Sequence, residues 1–313
     1  MSKRILVCGS VAFDYIAVFE GNFKDHILIE KERSFSVSFF TPTLNRFYGG
    51  CAGNIAYNLN LLGSHAVPVV TLGTDGADYL QRFERLGIDT SAVKVLDDYF
   101  SAQCFITTDL ESNQVTSFHP GAMIKSADND LTGIEAVYGI VAPDAKEAMF
   151  AHAERLHAQG IPFVFDLGQA MPLFEKADLE RMIKMCAVLT SNDYEAGVIS
   201  QRVGLSLDAI ATQVEALIVT EGDKGATVYT EGVTHQVPAL AAAQVVDPTG
   251  CGDAHRAGLL HGLTQGWSIY EAACLGSVMG GIKIAHQGTQ THSPSKTEIM
   301  QLLAENYGVH KSL

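Results

Sequence analysis

Residues 247–260 read DPTGCGDAHRAGLL, and this stretch is the strongest local signal in the chain. Its two glycines, Gly250 and Gly252, allow a tight backbone turn just where an apolar helical pattern begins, so that successive N–H groups face one point. Such donors, at the positive end of a helix dipole, suit the charge that develops on a phosphoryl group during its transfer. We therefore predict an anion hole built from Gly250, Cys251 and Gly252.

A carboxylate, Asp253, stands at the edge of this turn. It can take the proton from an attacking hydroxyl group while the anion hole holds the phosphoryl oxygens, which predicts a catalytic base. The alternative is a structural role, because Asp is also favoured as a helix cap. The sequence contains neither G-x-G-x-x-G nor G-x-x-x-x-G-K-S/T, so a dinucleotide fold and a P-loop lose their main support.

Around this stretch, short apolar runs alternate with helical patterns. The runs cover residues 137–141, 162–167, 187–190 and 216–220, and a helical pattern covers residues 144–159. This rhythm is typical of an α/β protein with a mostly parallel central sheet.

Two stretches break the α/β rhythm. Apolar residues alternate with serines over residues 34–40, and residues 101–118 have the pattern of two strands joined by a turn at residues 111–113. They predict a small β-sheet inserted into the larger domain. Because a sheet with one apolar face needs a cover, this sheet is either a lid over a cleft, a surface for a second subunit, or both.

Two segments near the N-terminus have the chemistry to bind a hydroxylated ligand. Residues 9–14 follow a buried strand and end in Asp14, at the carboxyl edge of a sheet, where a carboxylate can accept two hydrogen bonds from a vicinal diol. The pair Gly49 and Gly50 precedes a helix and lets ligand hydroxyls approach the backbone, while Asn54 offers a donor and an acceptor. A surface Asp and a plain tight turn are the alternatives.

The composition excludes several classes of protein. A formal net charge of −14 without a basic patch argues against nucleic acid as the partner. The six cysteines are dispersed without a C-x-x-C pair, which indicates reduced thiols in a cytoplasmic protein. No uncharged apolar stretch approaches the length of a membrane span, so no membrane is expected either.

Six segments occur in the order seen in the ribokinase (PfkB-type) kinase family, and the resemblance covers essentially the whole chain. These segments are residues 9–14, Gly49-Gly50 with Asn54, Gly73 with Asp75, Asn192 with Glu195, residues 220–225, and residues 247–253. Within the family the chain looks most like bacterial adenosine kinases and broad-specificity nucleoside kinases, on residues 117–123, 191–195, and 247–250 with 256–258.

The resemblance implies a ribokinase-like three-layer α/β fold, with a mostly parallel central sheet and a small inserted β-sheet lid. It assigns residues 1–14, 47–98 and 121–313 to an α/β core with the ATP site. Residues 15–46 and 99–120 form the lid over the substrate site.

The resemblance also implies a nucleoside site. Asp14 would grip the ribose 2'- and 3'-hydroxyls, Phe118 would pack on the base or in the lid core, and Gln169 would reach the base edge. The residues implied at this site are Ser10, Asp14, Ser38, Gly49, Gly50, Asn54, Phe118 and Gln169.

For the ATP site the resemblance implies Asn192, Thr220, Gly222, Gly225, Gly250 and Gly252. Glu195 would organise Mg2+ through water, and Asp247 would bind K+, with residues 288–290 as the other wall. A helix cap at Asn192 and hairpin glycines at Gly222 and Gly225 are the alternatives. The chain departs from the family at Cys251, usually Ala, and at His255, usually aromatic.

The activity implied is transfer of phosphate from MgATP to the 5'-hydroxyl of a ribonucleoside, most simply a purine nucleoside. A sugar kinase for ribose or fructose and a non-catalytic nucleoside-binding module are the alternatives. The partners expected are therefore nucleoside and ATP, with neither nucleic acid nor membrane, and a homodimer through the lid.

Overall fold

A computed structural model of the chain describes residues 3–26, 37–111 and 113–313. Within these ranges nine strands form one large sheet, in the order β13-β12-β11-β10-β9-β8-β1-β4-β5. Its strands are β1 (Arg4–Cys8), β4 (His65–Leu72), β5 (Val93–Val95), β8 (Tyr138–Val141), β9 (Phe163–Asp166), β10 (Val188–Asn192), β11 (Ala216–Thr220), β12 (Ala226–Thr230) and β13 (Val233–Val237).

All neighbouring strands from β11 to β5 run parallel, and only β12 and β13 are antiparallel to their neighbours in this sheet. Every residue of β8 and β9 is buried, as expected for parallel strands covered on both faces. The α/β prediction is thereby confirmed, including the runs that became β8 to β11.

Helices cover both faces of this sheet, and the alternation along β1 shows how. Ile5 and Val7 point into the apolar layer formed with α2, α3, α8, α9 and α10, while Leu6 and Cys8 point into the layer formed with α4 to α7. The helices on the first face are α2 (Cys51–Leu61), α3 (Ala77–Leu86), α8 (Cys251–Thr264), α9 (Ile269–Lys283) and α10 (Lys296–Tyr307). Those on the second are α4 (Lys146–Ala158), α5 (Lys176–Met185), α6 (Asp193–Val203) and α7 (Leu207–Ala211).

The fold therefore has the three layers that were predicted. The described residues also contain one short helix, α1 (Phe23–His26), and three 3-10 segments (Gly121–Asp128, Gly168–Leu173 and Gly222–Lys224). Within the same ranges, no helix is both long and apolar enough to cross a lipid bilayer.

A separate four-stranded sheet has the order β3-β2-β6-β7. Its strands are β2 (Ala12–Val18), β3 (Thr43–Gly49), β6 (Ala102–Thr108) and β7 (Gln114–His119). The predicted hairpin over residues 101–118 is confirmed by the antiparallel pairing of β6 with β7, although residue 112 lies outside the described residues. The small inserted sheet is thus present.

The strand predicted at residues 34–40 is wrong for the part that the structure describes. Residues 37–40 form no strand, residues 34–36 lie outside the described ranges, and the strand that pairs with β2 is β3, further along the chain. The apolar alternation has another use, because the Phe39 ring packs against Phe19 and Phe23 at centroid distances of 5.0 and 4.8 Å.

Strand register assigns the two faces of the small sheet. Asp14 of β2 is paired with Phe47 and Cys104, and Cys104 is paired with Phe118, so these four side chains share one face. This also corrects the placement of Asp14, which was expected at the edge of the large sheet. It lies within β2 because the chain passes from β1 into the small sheet after only three residues.

Candidate active site

A cleft of about 1300 Å³ lies between the small sheet and the carboxyl ends of β9, β10 and β11. It brings together most of the residues predicted from sequence. Those that line it are Ser10, Asp14, Gly50, Asn54, Phe118, Gln169, Asn192, Glu195, Thr220, Gly222, Gly225, Gly250, Cys251, Gly252 and Asp253.

Three predicted residues do not line the cleft. Ser38 is exposed in the irregular segment 37–40. Gly49 lies directly behind Asp14, since a Cβ atom at Gly49 would be 2.1 Å from the Asp14 Oδ2. Asp247 lies behind the turn that starts α8, where its carboxylate accepts hydrogen bonds from backbone N–H groups.

The turn before α8 has the conformation that its glycines allow. Gly250 is the N-cap of the helix with φ 79°, and a Cβ there would be 2.9 Å from the Thr289 Cγ2. The N–H of Cys251 donates to the Pro248 carbonyl at 3.2 Å. Gly252 and Asp253 follow in the first helical turn, whose N–H groups form the positive end of the helix dipole.

Asp253 directs its carboxylate at another helix. Its Oδ2 accepts a hydrogen bond of 2.8 Å from the Asn54 Nδ2 in the first turn of α2. The pKa of Asp253 is raised to about 7, mainly by burial and also by the charge of Asp166, while the Asn54 hydrogen bond and the charge of Arg256 oppose this shift. A carboxyl group with such a pKa is well suited to take up a proton near neutral pH.

The Asn54 amide is held in place by a chain of buried groups. Gln290 donates from its Nε2 to the Asn54 Oδ1 at 3.1 Å and is itself bonded to the Tyr79 hydroxyl at 2.8 Å and to Arg82 at 3.1 Å. This arrangement turns the NH2 of Asn54 toward Asp253. Gln290 was expected only as part of the wall of a K+ site, and sequence alone does not reveal its bond to Asn54.

A buried ion pair lies one helical turn beyond Asp253, and no role was predicted for it. Arg256 donates from Nε and Nη2 to the two oxygens of Asp166, at 2.9 and 3.2 Å, and both side chains are almost fully buried. Its third nitrogen, Nη1, lies 3.4 Å from the position that a Cβ on Gly252 would take. The pair therefore holds a guanidinium group against the predicted anion hole. The sequence contains one sign of this pair, because Arg256 is a charged residue within an otherwise apolar helical pattern.

Other residues predicted for the acceptor also line the cleft. Burial raises the pKa of Asp14 to about 6, and the charge of Asp247 adds to this. The Ser10 hydroxyl accepts a bond of 3.2 Å from the Cys51 N–H at the start of α2. Phe118 is half exposed on β7, and the Gln169 amide contacts the Cys51 sulfur at 3.6 Å.

Residues predicted for the ATP site surround the start of α6. Asn192 caps this helix through a bond of 2.7 Å from the Glu195 N–H, and the Glu195 Oε2 accepts a bond of 2.9 Å from the Asn192 N–H. The Thr220 hydroxyl donates to the Ser191 carbonyl at 3.3 Å. Gly225 cannot carry a side chain, because a Cβ there would be 2.0 Å from the Val237 carbonyl oxygen.

The donor set fits Mg2+ held mainly by water and phosphate. Glu195 keeps one carboxylate oxygen free of its helix cap and faces the cleft, and burial raises its pKa. Within the described ranges no three His, Cys, Asp or Glu side chains converge as a protein-only metal site. Mg2+ commonly binds through one or two carboxylates and substrate phosphates.

The cleft is rich in negative charge. Among the described residues that line it, Arg256 is the only Lys or Arg, against seven acidic side chains: Asp14, Asp144, Asp166, Asp193, Glu195, Asp223 and Asp253. A polyphosphate ligand would therefore need backbone N–H groups, Arg256 and a divalent cation to offset this charge.

Comparison with known proteins agrees with this geometry. A sequence model described as pfkB family carbohydrate kinase matches residues 3–296. The chain is similar to the nucleoside kinase of Burkholderia thailandensis solved with inosine, with 46% identity over 99% of this chain and 100% of that one, and a TM-score of 0.89. The same kinase has been solved in a complex described as ADP-inosine, at a TM-score of 0.86, 46% identity, and 98% and 97% coverage.

A more distant relative has the same fold. The nucleoside kinase of Methanocaldococcus jannaschii, described as an archaeal member of the ribokinase family, is 26% identical. The match covers 97% of this chain and 100% of that one, with a TM-score of 0.88.

Proposed function

Because the chain belongs to the pfkB family of carbohydrate kinases, and is therefore a phosphotransferase that acts on a hydroxyl group, we propose that it phosphorylates ribonucleosides at the 5'-hydroxyl with ATP. The observation that carries this proposal is Asp253 beside the glycine turn of α8, at the base of a cleft that Asp14 also lines. The relatives named as nucleoside kinases support a nucleoside, with purine nucleosides foremost, as the acceptor.

In the proposed reaction Asp253 accepts the proton of the 5'-hydroxyl. The freed oxygen forms a bond to the γ-phosphorus of ATP as the bond to the β,γ-bridging oxygen breaks, and ADP leaves with that oxygen. Asn54 orients the catalytic base, Asp253, by donating a hydrogen bond to its Oδ2. The first-turn N–H groups of α8 and the Arg256 guanidinium stabilise the charge on the transferred group. Glu195 would hold Mg2+ through water, and the ion would offset the charge of the phosphates.

The nucleoside is oriented by the small sheet in this proposal. The Asp14 carboxylate accepts hydrogen bonds from the ribose 2'- and 3'-hydroxyls, close to the backbone of Gly50 and to Asn54, whereas Gly49 does not line the cleft. Phe118 packs on the base and Gln169 reaches its edge, whereas the exposed position of Ser38 in this structure gives no support to its predicted contact. The small sheet acts as a lid that closes over the bound nucleoside.

The same sheet is proposed to form a homodimer. On the face away from the cleft it leaves Leu44, Phe105 and Val115 between 46% and 64% exposed, an apolar area that a second copy would cover. We also propose a cytoplasmic location, because all six cysteines are free thiols, as a reducing compartment keeps them.

The test combines one substitution with a panel of acceptors. Asp253→Asn should lower kcat by about 10² to 10⁴, the usual range for loss of a general base. An exposed acid outside the cleft, Asp208→Asn, is the matched control and should keep full activity. ADP release would be measured with adenosine, inosine, guanosine, cytidine and ribose.

Each outcome of the panel has a clear meaning. Activity on ribose alone would replace the nucleoside by a sugar. No ADP release with any acceptor would indicate a binding module. If Asp253→Asn retained turnover within about tenfold of the wild type, Asp253 would not be the base.

A further inference from the structure

The most unusual cation of the chain lies behind the cleft. Lys283 is the last residue of α9, and its side chain is completely buried. Its ammonium group donates to the main-chain carbonyl of Asp247 at 2.6 Å and to that of His286 at 3.1 Å. The Asp247 carboxylate lies 3.8 Å from the same nitrogen. A buried ammonium is thus surrounded by oxygen atoms of the loop that precedes the anion hole and of the loop that follows α9.

These oxygen atoms are the environment that a monovalent cation would need. K+ binds to carbonyl and carboxylate oxygens, and an ammonium group carries the same single charge at similar oxygen distances. The predicted K+ site was placed at Asp247, with residues 288–290 as its other wall. In this structure the Lys283 Nζ already bonds to the Asp247 carbonyl, so the residues present do not fit an additional K+ ion at that position.

The position of Lys283 connects it to the transferred phosphate through the backbone. Asp247 accepts hydrogen bonds from the Thr249 N–H at 2.9 Å, within the anion-hole turn, and from the Gly288 N–H at 2.8 Å. Its own N–H donates to the Ile284 carbonyl at 3.1 Å, one residue beyond Lys283. The lysine therefore fixes the residue from which the anion-hole turn starts.

The charge of Lys283 also reaches the site. It lowers the pKa of the Cys251 thiol, although burial as the larger effect raises that pKa to about 11. In turn, burial lowers the pKa of Lys283 itself, while the charges of Asp247, Cys251 and Asp253 oppose that shift. A cation at this place offsets part of the acidic charge of the cleft.

We propose that Lys283 is a built-in monovalent cation, a positioning residue that holds the anion-hole turn so that the kinase needs no K+. It acts through Asp247 and touches neither substrate. The turnover measurements rest on the proposed nucleoside kinase activity, whereas the stability measurements described below do not.

The first experiment is a salt series on the wild-type enzyme at constant ionic strength. Turnover in KCl, NaCl and tetramethylammonium chloride should agree within about twofold. Activation by K+ of more than about tenfold over Na+ would overturn the proposal. Complete inactivity in every salt would instead contradict the proposed function, so the two failures are distinguishable.

The second experiment removes the charge and keeps the aliphatic stem. Lys283→Met should lower kcat/KM for ATP about tenfold to a hundredfold in Na+. K+ or ammonium ions should restore this activity, by at least half of the loss when kcat/KM is plotted on a logarithmic scale. Lys184→Met, an exposed lysine in the last turn of α5, is the matched control and should show neither effect.

Stability supplies a measurement that does not depend on turnover. K+ that occupies the vacated cage stabilises the folded state, so the Tm of ligand-free Lys283→Met should rise with K+ and not with Na+. Wild-type Tm should respond equally to both salts. If Lys283→Met showed no selectivity for K+ in either rate or Tm, the lysine would not stand in for a cation. Should this variant fail to fold, the wild-type salt series still decides the question.

Discussion

At the residue scale, the environment of Asp253 determines when it can act as a base. Burial raises its pKa to about 7, and the Asn54 hydrogen bond partly opposes this. A base must be deprotonated to accept a proton, so its working fraction grows as pH rises through that pKa. The sequence alone predicted the role of catalytic base for Asp253. Its pKa depends on Asn54 and Asp166, which only the folded chain brings close.

We predict an acid limb near pH 7 in the pH profile of kcat/KM for the wild-type enzyme. Asn54→Ala removes a bond that lowers the pKa of Asp253, so the limb should move to higher pH. The profile would be recorded with saturating ATP from pH 5 to 9. Asn60→Ala, near the other end of α2, is the control and should leave the limb in place. A limb unchanged by Asn54→Ala would mean that this hydrogen bond does not tune the base.

At the element scale, the turn into α8 depends on one backbone angle. Gly250 has φ 79°, and any side chain there would also press on Thr289. A residue with a Cβ is destabilised by about 1–2 kcal/mol in this left-handed backbone region. Because the contact with Thr289 must also be relieved, the turn would shift. In the proposed mechanism, a shifted turn would no longer aim its N–H groups at the transferred phosphoryl group.

We therefore predict that Gly250→Ala lowers kcat about a hundredfold, as loss of an oxyanion-hole donor does elsewhere. Gly266→Ala is a matched control, because Gly266 has φ 77° but nothing within 4 Å of the added Cβ, and it lies outside the cleft. It should lose about 1 kcal/mol of stability and keep its activity. Equal kcat values for the two variants would show that the turn is not part of the catalytic machinery.

The elements also show what sequence could and could not predict. The run at residues 216–220 became β11 without change, because a short, continuous apolar run that is buried in a sheet is recognisable from its own residues. The strand expected at residues 34–40 was misplaced, because Phe39 packs on Phe19 and Phe23 instead of entering a sheet. The Arg256–Asp166 pair joins residues 90 positions apart, and local patterns do not reveal such a pairing.

At the scale of the whole molecule, the two sheets form the two walls of the cleft. Asp14 belongs to the small sheet and Asp253 to the helix layer of the large one, so a movement of one sheet relative to the other would change the distance between these two residues. The exposed Phe118 on the inner face of the small sheet would become covered on such closure.

We predict that the radius of gyration, measured by small-angle X-ray scattering, decreases when nucleoside and a non-hydrolysable ATP analogue are both bound. Forward scattering should give twice the mass of one chain, and Phe105→Glu, on the face away from the cleft, should reduce it toward one. Val233→Glu, an exposed apolar position on β13, is the control and should leave the mass unchanged. Superimposable profiles with and without ligands would contradict closure, and a single-chain mass in the wild type would contradict the dimer.

Asp14 lies on the small sheet and Asp253 on α8, so the distance between these two carboxylates limits which molecules can be phosphorylated in the proposed reaction. In the proposed reaction, a molecule is phosphorylated when the span from its vicinal diol to its reacting hydroxyl matches the distance between the two carboxylates. This requirement would exclude sugars that lack the diol, whereas the base would be held only by the proposed contacts to Phe118 and Gln169. Under the same proposal, analogues altered at the base remain candidates for phosphorylation as long as they keep the diol and the reacting hydroxyl.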